Sequence, residues 1–161
     1  MPAPSAIAAI AAVAATAAII AGIDQLTKAV IVGAIGPGSA NSRIALSGDW
    51  VALEYAENRG AAFGLFSTLT PVLIALSAAI LVGVLIYFFR MPNPTRAEVI
   101  SVGAIAGGAL GNLVDRVRLG YVIDFVAVGP WPNFNVADSA ITLGVLGLIW
   151  GWVRTEAGDS S

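Results

Sequence analysis

Asp124 and Asp138 are the two carboxylates of this sequence whose surroundings pull their proton affinities apart. Asp124 lies inside the β-branched and aromatic run YVIDFVAV (121–128), where loss of water raises a carboxyl pKa. Asp138 closes the tetrapeptide Asn135-Val-Ala-Asp138 at the start of an apolar helix, and a helix N-terminus favours the ionised form. One protonated and one ionised carboxyl are what an aspartic protease uses: one takes a proton from water, the other polarises the peptide carbonyl. Local spacing leaves open whether the two face each other, and Asn135 to Asp138 also reads as a capping box. The chain holds no histidine and no cysteine. That excludes a thiol nucleophile, a thiolate or histidine metal centre and a Ser–His–Asp triad. The acid pair is therefore the one complete hydrolytic constellation, and neither a metal nor another cofactor is expected. A formal net charge of −2 gives no reason to expect a nucleic-acid partner.

Other polar side chains stand where apolar sequence gives little reason for them. Asp24, Thr27 and Lys28 in DQLTK fall on one helix face; they read either as an ion pair of about 0.2–0.5 kcal/mol or as positioning groups. Gly103, Gly107 and Gly111 repeat every four residues, the spacing of close helix packing in a membrane. Asn112, Asp115 and Arg116 continue that helix toward its end, with Asp115 and Arg116 read as a structural ion pair.

The elements that must position these groups are membrane helices. The sequence is 58% hydrophobic and 11% charged, against about 45–50% and about 25% for soluble domains. Uncharged runs cover Ala3–Ile23, Val72–Phe89, Val99–Val114 and Ser139–Val153. A spanning helix needs roughly 20 residues, so the last two draw Asn112, Asp115 and Asp138 to the membrane edge. A charge at mid-bilayer costs at least about 2.5–3.5 kcal/mol. We expect a single membrane domain over residues 1–161, with spans near 5–33, 71–89, 97–115 and 137–154. The first run lacks the basic n-region of a cleaved signal and reads as a retained helix. Between the spans lie regions 36–69 and 117–135. Gly36-Pro37-Gly38-Ser39 marks a turn, and residues 39–48 read as a loop. Strands are expected over Asp49–Glu57, with Val51, Leu53 and Tyr55 on one face, and over Tyr121–Val128. The fold class is an all-α integral membrane protein, four transmembrane helices carrying a small extracytoplasmic β-sheet. An even number of spans puts both termini on one side. By arginine density the Arg90–Arg96 connector reads that side as cytoplasmic, while by raw count the rule is undecided, since Lys28, Arg43, Arg59, Arg116 and Arg118 sit on the other side.

Five segments in order, DQLTK (24–28), NRGAAFG (58–64), GGALGNLVDR (107–116), YVIDF (121–125) and FNVAD (134–138), resemble the lipoprotein signal peptidases, or signal peptidase II. The resemblance runs over essentially the whole chain. It implies a membrane aspartic endopeptidase that removes signal peptides from diacylglyceryl-modified prolipoproteins, cutting before the lipidated cysteine. Carried over by motif, the catalytic pair is Asp124 and Asp138. Asn112, Arg116 and Asn135 line the site, and Asn58 and Gly60 belong to the extracytoplasmic sheet over the substrate. Asp24 and Lys28 brace the site, while Asp115, held ionised by Arg116, is structural. The implied partners are the prolipoprotein and membrane lipid. The implied location is the bacterial inner membrane, with the site on the extracytoplasmic side, and a monomer is expected. Two other classes compete: a proton- or ion-coupled transporter relaying through Asp24, Asp115 and Asp124, and a Ser/Lys hydrolase using Lys28 and Ser139. Against the transporter, no span is broken near mid-bilayer.

Overall fold

Alanine-rich and leucine-rich runs without an internal proline form long helices, and among the described residues four are long and apolar enough to cross a membrane. The computed structural model describes residues 5–40, 42–48, 50–60 and 70–159. Helix α1 covers Ala6–Ile35, α2 Thr70–Arg90, α3 Arg96–Leu119 and α4 Val136–Asp159. Their outward faces are isoleucine, leucine, valine and tryptophan, among them Ile19, Leu26, Val72, Leu143 and Trp150. Such a face is stable only in lipid, where the helix satisfies its own backbone polar groups.

Helix α3 is the axis of the bundle. In its most apolar stretch 61% of residues are buried, against 11% in α1 and in α2. Its glycines explain how two of the other helices reach it. A Cβ at Gly103 would meet Thr16 and the Val13 carbonyl, one at Gly107 would meet Ala17 and Ile20, and one at Gly108 would meet the Ala137 carbonyl. Small residues thus let α1 and α4 touch the α3 backbone from two sides. Gly107→Leu is expected to lower the thermal stability of the detergent-solubilised protein by about 1–3 kcal/mol, the scale of overpacking. An unchanged melting temperature would show that α1 does not seat there.

At one end, Thr95 and Glu98 form a capping box that starts α3. At the other, Gly120 takes φ 83° and donates its N–H to the Arg116 carbonyl, a left-handed cap that suits glycine. The cap turns the chain into the sheet. Strands β1 (Arg43–Ser47), β2 (Val51–Asn58) and β3 (Val122–Val128) pair antiparallel in that order. The sheet therefore joins both regions that lie between spans. Ala45 opposes Ala52, Leu53 opposes Val126 and Asn58 opposes Val122, with a register shift between Leu53 and Ala56. Leu53, Tyr55 and Phe125 pack against Ile31 and Ile35 at the end of α1.

Strand β1 corrects the reading of 39–48 as a loop. All five of its residues are exposed, so no buried face imposes the alternation by which a strand is recognised; pairing with β2 alone makes it one. The turn before it is as expected, with Gly38 at φ 85° and the Ser39 N–H on the Gly36 carbonyl. Asp49, at the start of the expected strand, and residues 61–64 of NRGAAFG lie outside the described residues.

Candidate active site

Two carboxylates on different elements are brought together because the chain doubles back between them. β3 carries Asp124; beyond it Phe134 returns alongside Val126, exchanging N–H···O bonds of 2.8 and 3.1 Å, and Phe125 N also donates to Phe134 O. This return leaves Asn135 beside Asp124 and starts α4 there. The Asn135 Nδ2 amide donates to Asp124 Oδ1 at 2.8 Å. The Asn135 side chain also caps α4: Oδ1 accepts from the Asp138 N–H at 2.9 Å, and Asp138 Oδ2 accepts from the Asn135 N–H at 3.2 Å. The capping box is present, and it is also what orients Asp138.

The second amide in the site is Asn112 of α3. Its Nδ2 donates to Asp138 Oδ1 at 2.8 Å, and its Oδ1 accepts from Asn135 Nδ2 and Lys28 Nζ, each at 3.1 Å. The third is Asn58, the last residue of β2. Gly60 N–H fixes its carbonyl oxygen at 2.9 Å, which turns its amide nitrogen to Asp124 Oδ2 at 2.9 Å. Gly60 itself lies past the strand at φ 78°, and a Cβ there would collide with Leu73 of α2. Asn58 thus ends the sheet, and Gly60 belongs to the turn that leaves it. Asp124 is buried. That burial raises its pKa from 3.8 to about 6 against the amide donors Asn58 and Asn135, with the charge of Asp138 also raising it and Lys28 lowering it.

Beneath the pair lies a buried ionic knot. Lys28 Nζ is 2.8 Å from Asp24 Oδ2 and 2.8 Å from Asp115 Oδ2, with all three side chains at most 3% exposed. Each acid also holds backbone: Asp24 Oδ1 accepts from the Ala137 N–H at 3.0 Å, and Asp115 Oδ2 from the Ile123 N–H at 3.1 Å. Those amides neighbour Asp138 and Asp124 in sequence. Gly111 leaves the room that Asp24 occupies, since a Cβ there would lie 2.6 Å from Asp24 Oδ2.

This knot corrects the expected Asp115–Arg116 pair. Successive residues on a helix point about 100° apart, so Asp115 turns toward Lys28 of α1 while Arg116 turns toward α2, its Nη1 donating to Ser77 Oγ at 3.1 Å. Thr27 takes no part in the knot, because its hydroxyl donates to the Ile23 and Asp24 carbonyls of its own helix. Two participants were not anticipated. Gln25 donates to Asp115 Oδ1 at 2.8 Å and to Gly111 O at 3.3 Å; its amide inside the polar segment DQLTK was the available signal. Ser77 offered none, since a serine bonded to the i−4 carbonyl, as this one is to Leu73, is ordinary in a helix.

A groove of about 470 Å³ opens beside Asp138, lined with it by Trp131, Phe134, Ser139, Thr142 and Leu143. The family profile of signal peptidase (SPase) II matches residues 16–154, through every element that carries this site. The chain belongs to the signal peptidase II family. Among similar proteins, a lipoprotein signal peptidase of Dehalococcoides mccartyi (strain ATCC BAA-2266 / KCTC 15142 / 195) is 41% identical over 144 residues, 86% of this chain and 88% of that one. One of Moorella thermoacetica is 38% identical over 132 residues, covering 82% and 86%. One of Halothermothrix orenii is 34% identical over 142 residues, covering 88% and 95%. A solved structure described as a bacterial membrane enzyme superposes with a TM-score of 0.82 at 25% identity, covering 98% of this chain and 95% of that one. As a signal peptidase II, the chain is a multi-pass membrane aspartic protease that removes signal peptides from lipoproteins. Membership of this family sets aside the transporter and the Ser/Lys hydrolase.

Proposed function

We propose that Asp124 and Asp138 are the catalytic pair and that they cut diacylglyceryl-modified prolipoproteins just before the lipidated cysteine. The observation that carries this reading is the shared cradle: the Asn135 side chain holds Asp124 and Asp138 at once, while Asn112 and Asn58 each hold one of them from another element. A pair held this way binds one water and shares one proton. Asp138, in the first turn of α4, takes the proton of the attacking water. Asp124 carries its proton to the scissile carbonyl oxygen, which stabilises the tetrahedral intermediate. Collapse of that intermediate breaks the C–N bond: Asp138 gives the water-derived proton to the departing amine. One hydroxyl of the diol returns its proton to Asp124 as the carbonyl re-forms, so the pair regains its starting state. No covalent enzyme intermediate forms. Arg116 Nε, buried and without a hydrogen-bond partner among the described residues, donates to a substrate carbonyl.

The apolar groove along α4 takes a greasy part of the substrate. The diacylglyceryl chains stay in the bilayer and hold the scissile bond at the depth of the pair, so the membrane supplies orientation. The sheet end of the bundle is extracytoplasmic in this reading, which rests on the density of arginine in the short Arg90–Arg96 connector at the opposite end and not on the total count of cations on each side. The enzyme acts as a monomer in the inner membrane.

Cleavage of a diacylated prolipoprotein, compared with the same chain lacking the lipid, tests the substrate. Only the lipidated form should be cut; equal rates would remove the lipid from the mechanism. The pH profile tests the pair. Asp124 works protonated and its pKa is raised to about 6, so kcat/KM should fall on the alkaline side with an apparent pKa for the pair no lower than about 6. An alkaline limb near the ordinary carboxyl range would contradict this assignment.

A further inference from the structure

The end of β2 carries a cluster that the mechanism above does not use. Arg59 follows Asn58 directly, yet it points away from the catalytic pair. Its guanidinium carbon stacks 4.9 Å from the ring centroid of Tyr121, and its Nη2 is 2.6 Å from Glu57 Oε2. The hydroxyls of Tyr121 and Tyr55 lie 3.2 Å apart, and the Tyr55 hydroxyl donates to Glu57 Oε1 at 3.3 Å. Burial and its bond to Tyr121 push the Tyr55 phenol up, so it keeps the proton this bond requires. Four side chains thus close a ring over the point where the ladder of β2 and β3 stops, at Asn58 opposite Val122.

The place matters because of what the ladder stops holding there. Asn58 is exposed, it is the last paired residue of β2, and its amide nitrogen donates to Asp124 alongside that of Asn135. Beyond it, Gly60 sits at φ 78° with its backbone against Leu73 of α2. A strand end held only by its final pair frays, and fraying would draw Asn58 off Asp124. An exposed ion pair such as Arg59–Glu57 contributes little alone. A planar guanidinium that stacks and pairs at the same time is more firmly set.

We infer that Arg59 is a positioning residue: clamped between Tyr121 and Glu57, it pins the end of β2 to the start of β3 and so keeps the Asn58 amide on Asp124. The inference rests on the assignment of Asp124 as catalytic. Arg59 works through geometry and not through its own field, because the charges that interact with Asp124 are those of Asp138, Lys28 and Arg116, on α4, α1 and α3.

The test is the pH profile of kcat/KM for lipidated prolipoprotein, measured on the full chain in detergent. Asn58 donates to the ionised form of Asp124, so loosening it favours the protonated form and moves the alkaline limb upward. Arg59→Ala and Tyr121→Leu should each slow cleavage by roughly two- to five-fold and raise that limb by about 0.3–0.7 pH unit, the same factor on a logarithmic scale. Tyr121→Phe keeps the stacking ring and should keep the wild-type limb. The double variant Arg59→Ala/Tyr121→Leu should be no worse than either single one, because both remove one contact. A slower rate with an unmoved limb, or additive losses in the double variant, would overturn the clamp. Asn58→Ala separates the two layers of the argument. If it moves the limb and Arg59→Ala does not, the clamp fails alone; if Asn58→Ala leaves the limb in place, the reading of Asp124 fails with it.

Discussion

Asp124→Asn and Asp138→Asn are each expected to lower cleavage of a lipidated prolipoprotein by about 10²–10⁴-fold, the range for loss of a positioned acid or base. The double variant should be no slower than the worse single one, since the two carboxyls act as a unit. Either variant cutting at the wild-type rate would end the proposal. Stability provides a control that separates chemistry from folding. Asp124 binds its proton more tightly when folded, because its pKa rises from 3.8 to about 6 on burial. Ionised Asp124 therefore subtracts from stability, by an amount that grows as pH climbs from 3.8 to about 6 and is complete above it. Asparagine has no such dependence. The stability of Asp124→Asn relative to wild type should thus shift in favour of the variant between pH 4 and pH 7, while its activity stays lost at both.

The largest effect on folding is expected at Lys28. Its ammonium bonds both Asp24 and Asp115, and all three side chains are almost wholly shielded from water. Lys28→Met would leave two carboxylates uncompensated, and breaking a buried ion pair from one side costs about 3–5 kcal/mol. Thermal unfolding in detergent should fall accordingly. Cleavage should be lost too, because Asp24 and Asp115 hold the backbone amides of Ala137 and Ile123, each next to one acid of the pair. The triple variant Lys28→Met/Asp24→Asn/Asp115→Asn removes the charges together and should recover much of the stability without the activity. A Lys28→Met protein that melts with the wild type would show that the knot is not what holds α1 to α3.

Some of this architecture was legible because it depends on composition and short-range pattern. Four apolar runs give four helices, since a helix is the form in which a single greasy segment satisfies its own backbone. The four-residue glycine spacing gave a close-packed face on α3 for the same reason, since it depends only on helix pitch; that α1 fills it came from the structure. Strand β1 was not legible, because a strand exposed on both faces carries no alternation. The Asp115–Arg116 pair failed on a similar point. Adjacency in sequence is not adjacency on a helix, and the partner of Asp115 came from another helix altogether.

By itself, then, the sequence determined the medium and the chemistry that could occur in it. With 11% charged residues and neither histidine nor cysteine, the chain must live in lipid, and thiol, thiolate-metal and histidine-dependent chemistry are closed to it, which puts its carboxylates first. Only the tertiary structure decided which groups meet. The fold-back at Phe134 brings Asn135 between Asp124 and Asp138. The glycine face of α3 admits α1 closely enough for Lys28 to reach Asn112 and Asp115. Hydrogen bonds and ion pairs act over about 3 Å, whereas the residues that make them here are up to 113 positions apart in the chain. Distance along the sequence holds no record of that proximity; packing creates it.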